Sequence, residues 1–325
     1  MDPPSPSPGK LVVAHPDRRA QRALQRLVGA TACPVQIVAD AAALRDAVDA
    51  DTIAIVDAAL AATAPGLCDL PARAWIAVPG EGLAPAEAPA VDALLASGWW
   101  HVVAHAMPIL GEELLATIQK LLRDDVFGLE KYMAWGAEVR SYTLGDARER
   151  EDAVATMARD VVGVGLPDRI ASLVSVIADE LIANALYVAP LDERKQRYRA
   201  GEARELGRAL RGRDVVTVRW ATDARYLAIE VRDRWGTLEP RGVAARLVAG
   251  KASAASGEAG MGMALAYACC NQFVVDLEPE VMTEVIALLD VRHKPTELGR
   301  SASFHTFVAA PPAAVPPAAA ASRER

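Results

Sequence analysis

The sequence lacks most of the features that mark secreted, membrane-spanning or metal-binding proteins. Its 325 residues include only four cysteines, and none of them has the C-x-x-C spacing of a metal site. The opening residues, MDPPSPSPGK, contain no apolar signal region, and we predict no apolar stretch long enough to span a membrane. We therefore expect a reduced, cytoplasmic protein.

A basic excess is also absent, since 35 Lys and Arg stand against 42 Asp and Glu, for a net charge of −7. This balance predicts no nucleic-acid surface. The composition, with 52% hydrophobic and 24% charged residues, is that of a globular protein, and the length suggests two domains. A Pro/Ser leader at 1–9 and a Pro/Ala tail at 309–325 are expected to be flexible.

The stretch from 175 to 190, SVIADELIANALYVAP, has apolar residues at helical spacing. Glu180 and Asn184 lie one turn apart on this predicted helix. A carboxylate and a carboxamide are costly to bury unless a polar group meets them, and Mg²⁺ with phosphates would do so. Two surface polar residues on an ordinary helix are the simpler alternative.

Two later stretches favour a site for Mg²⁺ and phosphates over two surface polar residues. Residues 226–240, YLAIEVRDRWGTLEP, alternate like a half-buried strand that ends at Asp233, shortly before Gly236. Residues 256–267, SGEAGMGMALAY, place Gly260 and Gly262 before an apolar helical run. Bare backbone amides at such a helix start can meet an anion.

Together these stretches resemble the nucleotide-binding domain of the GHKL superfamily, which includes histidine kinases, anti-sigma-factor serine kinases, gyrase and Hsp90. The motif E-L-x-x-N-A is matched by ELIANA at 180–185. The resemblance implies that Asn184 binds Mg²⁺ and that Glu180 aids hydrolysis or transfer. It also implies ATP or ADP as the ligand.

The two other motifs of the superfamily are matched to different degrees. Asp233 falls on the adenine-binding acid of D-x-G-x-G, but Trp235 and Thr237 occupy its glycine positions and Gly236 lies between them. The resemblance implies that Asp233 accepts a hydrogen bond from the adenine amino group and that Gly236 lets the backbone approach. Trp235 is expected to narrow the adenine pocket or stack on the base. The motif G-x-G-x-x-L is complete at 260–265.

The segment from about 249 to 260 corresponds to the lid over the nucleotide in such proteins. Lys251 is the nearest cation there for a terminal phosphate, although a solvated lysine is an equal alternative. Tyr187 stands where many relatives place a basic residue near the phosphates. We expect the charged run at 191–213 to be a solvated face or loop.

Between residues 10 and 122, short apolar strands alternate with helical stretches, which predicts a doubly wound parallel sheet. This half resembles the receiver domain of two-component signalling, and Asp57, at the end of the third strand, matches the phosphoacceptor. Ala14 and His15 replace the acidic pair, and Met107 replaces the lysine. We therefore expect a pseudo-receiver kept for docking or dimerisation, with phosphorylation of Asp57 by an unusual route as the alternative.

We expect a helical linker at 123–150 and a C-terminal domain at 151–308. The predicted class is α/β, with the doubly wound sheet followed by an α/β sandwich whose mixed sheet has helices on one face, of the Bergerat type. No histidine lies from 106 to 292, so a conventional autophosphorylating histidine kinase is not predicted. His101 and His105 are expected to be packed or capping residues rather than metal ligands.

Three functions compete. The first is a signalling switch that binds ATP or ADP with Mg²⁺ and changes its contacts with a regulatory protein partner. The second is an active serine kinase or slow ATPase, and the third is a catalytically silent scaffold. No nucleic acid or membrane partner is predicted, and a homodimer through the receiver-like domain or the linker is a further candidate.

Overall fold

A computed structural model describes residues 9–202, 207–253, 262–292 and 302–309. The strands in these ranges are β1 Lys10–Ala14, β2 Val35–Val38, β3 Thr52–Asp57, β4 Ala74–Val78, β5 His101–Val102, β6 Val139–Leu144, β7 Val216–Thr222, β8 Tyr226–Asp233, β9 Gln272–Glu278, β10 Met282–Asp290 and β11 Ser303–Val308. The helices are α1 Arg18–Val28, α2 Ala41–Ala47, α3 Ala58–Thr63, α4 Ala88–Ala96, α5 Ile109–Arg123, α6 Arg150–Gly163, α7 Asp168–Ala183, α8 Pro240–Ser253 and α9 Gly262–Ala268. Of the predicted leader and tail, only Gly9 and Ala309 are among the described residues.

The N-terminal half is a parallel sheet in the order β2-β1-β3-β4-β5, with helices on both faces. Every residue of β3 and β4 is buried, because helices cover both sides of these two strands. Continuous runs of β-branched and other apolar residues suit such strands. The predicted alternation of strands and helices is therefore confirmed.

The C-terminal half continues the same sheet in the order β11-β9-β10-β8-β7-β6. Neighbouring strands here are antiparallel except for β11 and β9, which are parallel, so the sheet is mixed as expected. Strand β11 also pairs with β5 through Phe304 with Val102 and His305 with His101. The described strands of both halves thus form one eleven-stranded sheet.

The helical prediction for the linker is wrong. Helix α5 ends at Arg123, and the chain then forms a 3₁₀ turn at Leu129–Tyr132 and strand β6. Strand β6 pairs antiparallel with β7 and completes that edge of the sheet. Its sequence, VRSYTL, is rich in β-branched and aromatic residues, whose preference for strands prevails once a partner edge is available.

Helices α6, α7, α8 and α9 pack together on one face of the C-terminal part of the sheet. The opposite face of the same strands is covered by the chain around Val126 and Leu129, beside Tyr226 and Phe307. The two faces of β8 and β10 therefore meet different neighbours. One face meets the helices, and the other meets the segment that connects the two halves.

One described helical segment, Asp168–Val188, is long and apolar enough to cross a membrane, with a mean hydropathy of 1.5. Our expectation that no stretch would reach that length is therefore wrong. However, 61% of the most apolar 18-residue stretch of this segment is buried inside the protein, which is typical of the core helix of a soluble protein. The apolar stripe predicted from the sequence explains both properties, because it faces the sheet.

Candidate functional site

Four of the predicted site residues line one cavity of about 460 Å³ between helices α7, α8 and α9 and strands β8 and β10. These residues are Glu180, Asn184, Asp233 and Gly262. They come from three separate stretches of the sequence, and only the fold brings them together. The remaining lining is largely apolar and includes Leu181, Val231, Val243, Leu247 and Val285.

Asn184 stands where the regular α-helix ends and a π-helical turn, Asn184–Val188, begins. Its carbonyl accepts the amide of Ala189 at 2.9 Å, which is the wider spacing of a π-turn. Its side-chain nitrogen donates to the Glu180 carbonyl at 2.9 Å. The side-chain oxygen is therefore the atom that this residue could offer to a hard cation such as Mg²⁺.

Gly262 lies directly against the Glu180 carboxylate at the start of α9. A Cβ atom at this position would overlap Glu180 Oε2 and would lie 3.4 Å from Asn184 Nδ2. A side chain at this position would therefore displace the Glu180 carboxylate from its present place beside α9. Because the two helices approach closely here, Glu180 and Asn184 line the same cavity as Gly262.

Asp233 ends strand β8 and is only 6% exposed. Its Oδ1 accepts the backbone amides of Trp235 at 2.7 Å and Gly236 at 3.3 Å, which fixes the orientation of the carboxyl group. Burial raises the pKa of Asp233 to about 6, although these backbone hydrogen bonds favour its charged form. Thr283, its cross-strand neighbour on β10, also lines the cavity.

Gly236 and Trp235 do not belong to the cavity lining, in contrast to the roles that the resemblance implied for them. Gly236 has a φ of +61°, and a Cβ atom there would overlap the carbonyl oxygen of Glu278. This glycine is thus required by packing against the turn between β9 and β10. The Trp235 ring lies 4.7 Å from Arg213 Cζ.

The predicted lid is mostly outside the described part of the chain. Residues 249–253 are the last turn of α8, and Gly260 falls in the gap between α8 and α9. Lys251 is on that last turn, but its side chain is not among those described. Its expected role at a terminal phosphate therefore stays a prediction.

The cavity also contains polar residues that the sequence pattern did not predict. Arg197 and Glu202 come from the charged run that was expected to be a solvated face or loop, and Arg246 comes from α8. Burial lowers the pKa of Arg197, and the positive charge of Arg246 lowers it further. Nothing in the local pattern of the run distinguishes Arg197 from its neighbours, so no sequence signal could have selected it.

Asp57, the predicted phosphoacceptor position, is buried and serves as the N-cap of α3. Its Oδ1 accepts the amide of Leu60 at 2.7 Å, and its Oδ2 lies 3.6 Å from His15 Nε2. Both side chains are almost completely inaccessible to solvent. His15, one of the two residues at the acidic-pair positions of the receiver resemblance, thus lies beside Asp57 in the fold.

His105 is packed as predicted, in a buried polar network between α5 and β11. His105 Nδ1 lies 3.0 Å from Glu113 Oε2 and 3.0 Å from Ser303 Oγ, while His305 Nε2 lies 2.7 Å from Glu113 Oε1. Although burial opposes ionisation, hydrogen bonds from the two histidines lower the pKa of Glu113 to about 2. His101 packs its ring against His305 and Phe307.

Comparisons with known proteins add little to this geometry. No protein-family model matches the sequence, and no curated protein matches it. Among solved structures, a chain of the SiaB–SiaC complex from Pseudomonas aeruginosa is similar, at 12% identity and a TM-score of 0.33. The match covers 55% of the present chain and 97% of that chain. Similarity at this level assigns neither a family nor an activity.

Proposed function

We propose that the protein binds an adenine nucleotide with Mg²⁺ in this cavity and acts as a nucleotide-dependent switch on a regulatory protein partner. The observation that supports the proposal is the convergence of Asn184, Asp233 and Gly262 on one cavity. These residues were selected from the sequence by three separate motifs. If the three motifs resembled those of nucleotide-binding proteins only by chance, there would be no reason for their residues to line the same cavity.

The size and lining of the cavity suit a nucleotide. A volume of about 460 Å³ falls within the range of roughly 300 to 1,000 Å³ that is usual for small-molecule sites. Apolar side chains such as Val231 and Val285 offer a surface for a flat base. A few polar groups placed among them would fix the orientation of the ligand.

Each predicted residue has a specific role in this proposal. The buried Asp233 carboxylate accepts a hydrogen bond from the adenine amino group, because a fixed acceptor next to apolar surface distinguishes adenine from bases without that donor. The side-chain oxygen of Asn184 binds the metal ion. Bound Mg²⁺ would neutralise part of the phosphate charge.

An active kinase or ATPase is the second candidate, and the position of Glu180 favours it. The carboxylate lies at the cavity beside Gly262, where it could orient or deprotonate an attacking water or hydroxyl. The sequence has no histidine from 106 to 292, so the enzyme proposed here is not a conventional autophosphorylating histidine kinase. The N-terminal half, with Asp57 capped and covered, would serve as the docking part of the switch.

Calorimetric titration of the full chain with ATP and ADP, with and without Mg²⁺, tests the proposal. We expect Mg²⁺-dependent binding in the natural protein and its loss in Asn184→Leu, which keeps the volume but removes the metal ligand. Ser172→Ala, an exposed change on the same helix, is the matched control and should bind normally. Absence of binding to the natural protein, or unchanged binding to Asn184→Leu, would contradict the proposal.

Phosphate release and transfer assays separate the switch from the enzyme. A switch binds nucleotide without turnover, so Glu180→Gln should leave the affinity for ATP within about threefold. If the natural protein turns over ATP and Glu180→Gln abolishes the turnover while binding persists, the enzyme is the correct candidate.

A further inference from the structure

We propose that Arg197 and Arg246 form an anion site in this cavity that binds the phosphate chain of the ligand. The inference rests on the proposed function and names its ligand more closely. The ligand would be a nucleoside diphosphate or triphosphate, and a nucleoside alone would bind weakly. Neither arginine belongs to the motifs that identified the site.

The two guanidinium groups reach the cavity from different parts of the chain. Arg197 lies on the segment that follows the π-helical turn, and Arg246 lies on α8. They are the Lys and Arg side chains among the described residues of the cavity lining. Both residues also remain accessible to solvent, so a charged ligand can reach them.

Two arginines near the cavity, Arg199 and Arg208, form ion pairs with carboxylates, whereas no described carboxylate pairs with Arg197 or Arg246. Arg199 forms a bidentate pair with Asp214, with both distances at 2.8 Å, and Arg208 pairs with Glu202. In the described ranges, no carboxylate forms an ion pair with Arg197 or Arg246, and Arg246 Nε donates to the backbone of its own helix. Two cations are therefore left available for an anion.

Two of the acidic groups of the cavity are held by other partners. Glu202 is engaged by Arg208, and Asp233 is held by backbone amides. Glu239 lies near enough to favour the charged form of Arg197, but burial and Arg246 have larger effects and lower its pKa. Like charges at one cavity repel each other, and a phosphate chain between them would turn that repulsion into two favourable, charge-assisted contacts.

The cavity lining combines two chemically different kinds of polar group. Asp233 provides a buried acceptor for a neutral donor such as an adenine amino group, whereas the two arginines provide unneutralised positive charge. A ligand that satisfies both must carry a neutral base and an anionic chain. The arginines would therefore contribute the preference for phosphorylated nucleosides.

Titrations with adenosine, AMP, ADP and ATP at constant ionic strength test the inference in the full chain. In the natural protein we expect the affinity to increase with the number of phosphates. Arg197→Gln and Arg246→Gln should each weaken ADP and ATP binding by about tenfold, the value of one charged hydrogen bond. Their affinity for adenosine should remain unchanged. Arg194→Gln, an exposed change on the same segment, is the matched control.

Two results would overturn the inference while leaving the proposed function intact. One is unchanged ADP and ATP affinity in the double variant Arg197→Gln/Arg246→Gln. The other is an equal loss of adenosine and ATP affinity, which would assign the arginines to the shape of the cavity.

Inorganic pyrophosphate provides a probe that does not depend on the base. We expect it to compete with ADP for the natural protein and to raise its thermal unfolding temperature, but not that of the double variant. If pyrophosphate protects the natural protein in this arginine-dependent way while no adenine compound binds, the anion site stands and the proposed nucleotide function fails. If neither pyrophosphate nor any nucleotide binds, both fail.

Discussion

Asp233 shows how a single buried residue can link ligand binding to pH. Burial raises its pKa from 3.8 to about 6, so the folded protein holds this proton more tightly than the unfolded chain does. Taken alone, this group makes the free energy of unfolding decrease as pH rises from about 4 to about 6. A ligand that donates a hydrogen bond to the carboxylate favours the ionised form and opposes that loss.

We therefore expect adenosine to bind more tightly as pH rises from 5 to 7, by about tenfold for each unit by which it lowers the pKa of Asp233. Adenosine is the appropriate ligand because it has no phosphate that titrates in this range. Calorimetric titrations across the range measure the effect, and Asp233→Asn should remove it. A pH dependence of equal size in Asp233→Asn, or weaker binding at pH 7 than at pH 5, would contradict this role.

At the residue scale, the sequence predicted local relationships and missed tertiary ones. Glu180 and Asn184 could be paired because one helical turn separates them, whatever the rest of the fold does. Arg197, Arg246 and Thr283 reach the same cavity only through the folded arrangement of α8, β10 and the segment after α7. No spacing rule connects such positions.

At the scale of elements, two buried carboxylates hold the connecting segment to the sheet. Glu284 accepts the amide of Gly128 at 2.7 Å, and Glu230 accepts the amide of Leu129 at 3.0 Å. These glutamates lie on β10 and β8, which present Val231 and Val285 to the cavity from their other face. A single layer of sheet thus separates the cavity from the connection between the two halves.

Helix α5 is joined to the same sheet by a buried ion pair, Lys120 Nζ to Asp276 Oδ1 at 2.7 Å. Lys120 also donates to Tyr132 Oη at 2.8 Å, so it contacts the connecting segment as well. Burial opposes the charge on both members of the pair, raising the pKa of Asp276 to about 8 and lowering that of Lys120. The charged form of each group is therefore stabilised by the opposite charge of the other.

We expect Lys120→Met to lower the free energy of unfolding by about 3–5 kcal/mol, because Asp276 would lose its partner inside the protein. The double variant Lys120→Met/Asp276→Leu should recover most of that loss, since no buried charge is then left unpaired. Urea unfolding of the three proteins measures both effects. Strictly additive losses would show that the pair is not coupled.

The elements themselves were predicted where the local pattern was strong. Strand β2, for example, coincides with a run of mostly β-branched residues, VQIV. Strand β6 was missed because its first residue, Val139, fits the helical apolar stripe expected for the linker, whereas its pairing with β7 depends on the tertiary fold. Helix α8 was missed because Gly242 and Gly250 weaken its helical signal.

At the scale of the whole molecule, one sheet joins the two halves. Within the sheet, two residue pairs between β5 and β11 connect the halves, beside the buried network of Glu113 with His105 and His305. The paired residues lie about two hundred positions apart, so no local pattern could have predicted the contact. We had expected two sheets, one in each half.

A shared sheet and a buried polar network predict that the two halves unfold together. Trp75 and Trp99 lie in the core of the N-terminal half, and Trp220 lies in that of the C-terminal half. Within one variant that retains tryptophan in only one half, the urea midpoint by fluorescence should therefore equal the midpoint by far-UV circular dichroism, which follows both halves. Two separate midpoints would show that the halves are independent and that the β5–β11 contact contributes little.

The most direct test of the central claim is a crystal structure of the protein grown with ADP and Mg²⁺. We predict that the nucleotide occupies the cavity lined by α7, α8 and β8, with the adenine amino group at hydrogen-bonding distance from Asp233 and the metal ion bound by Asn184. Nucleotide bound at another place, or an unchanged cavity without nucleotide at a saturating concentration, would contradict the account.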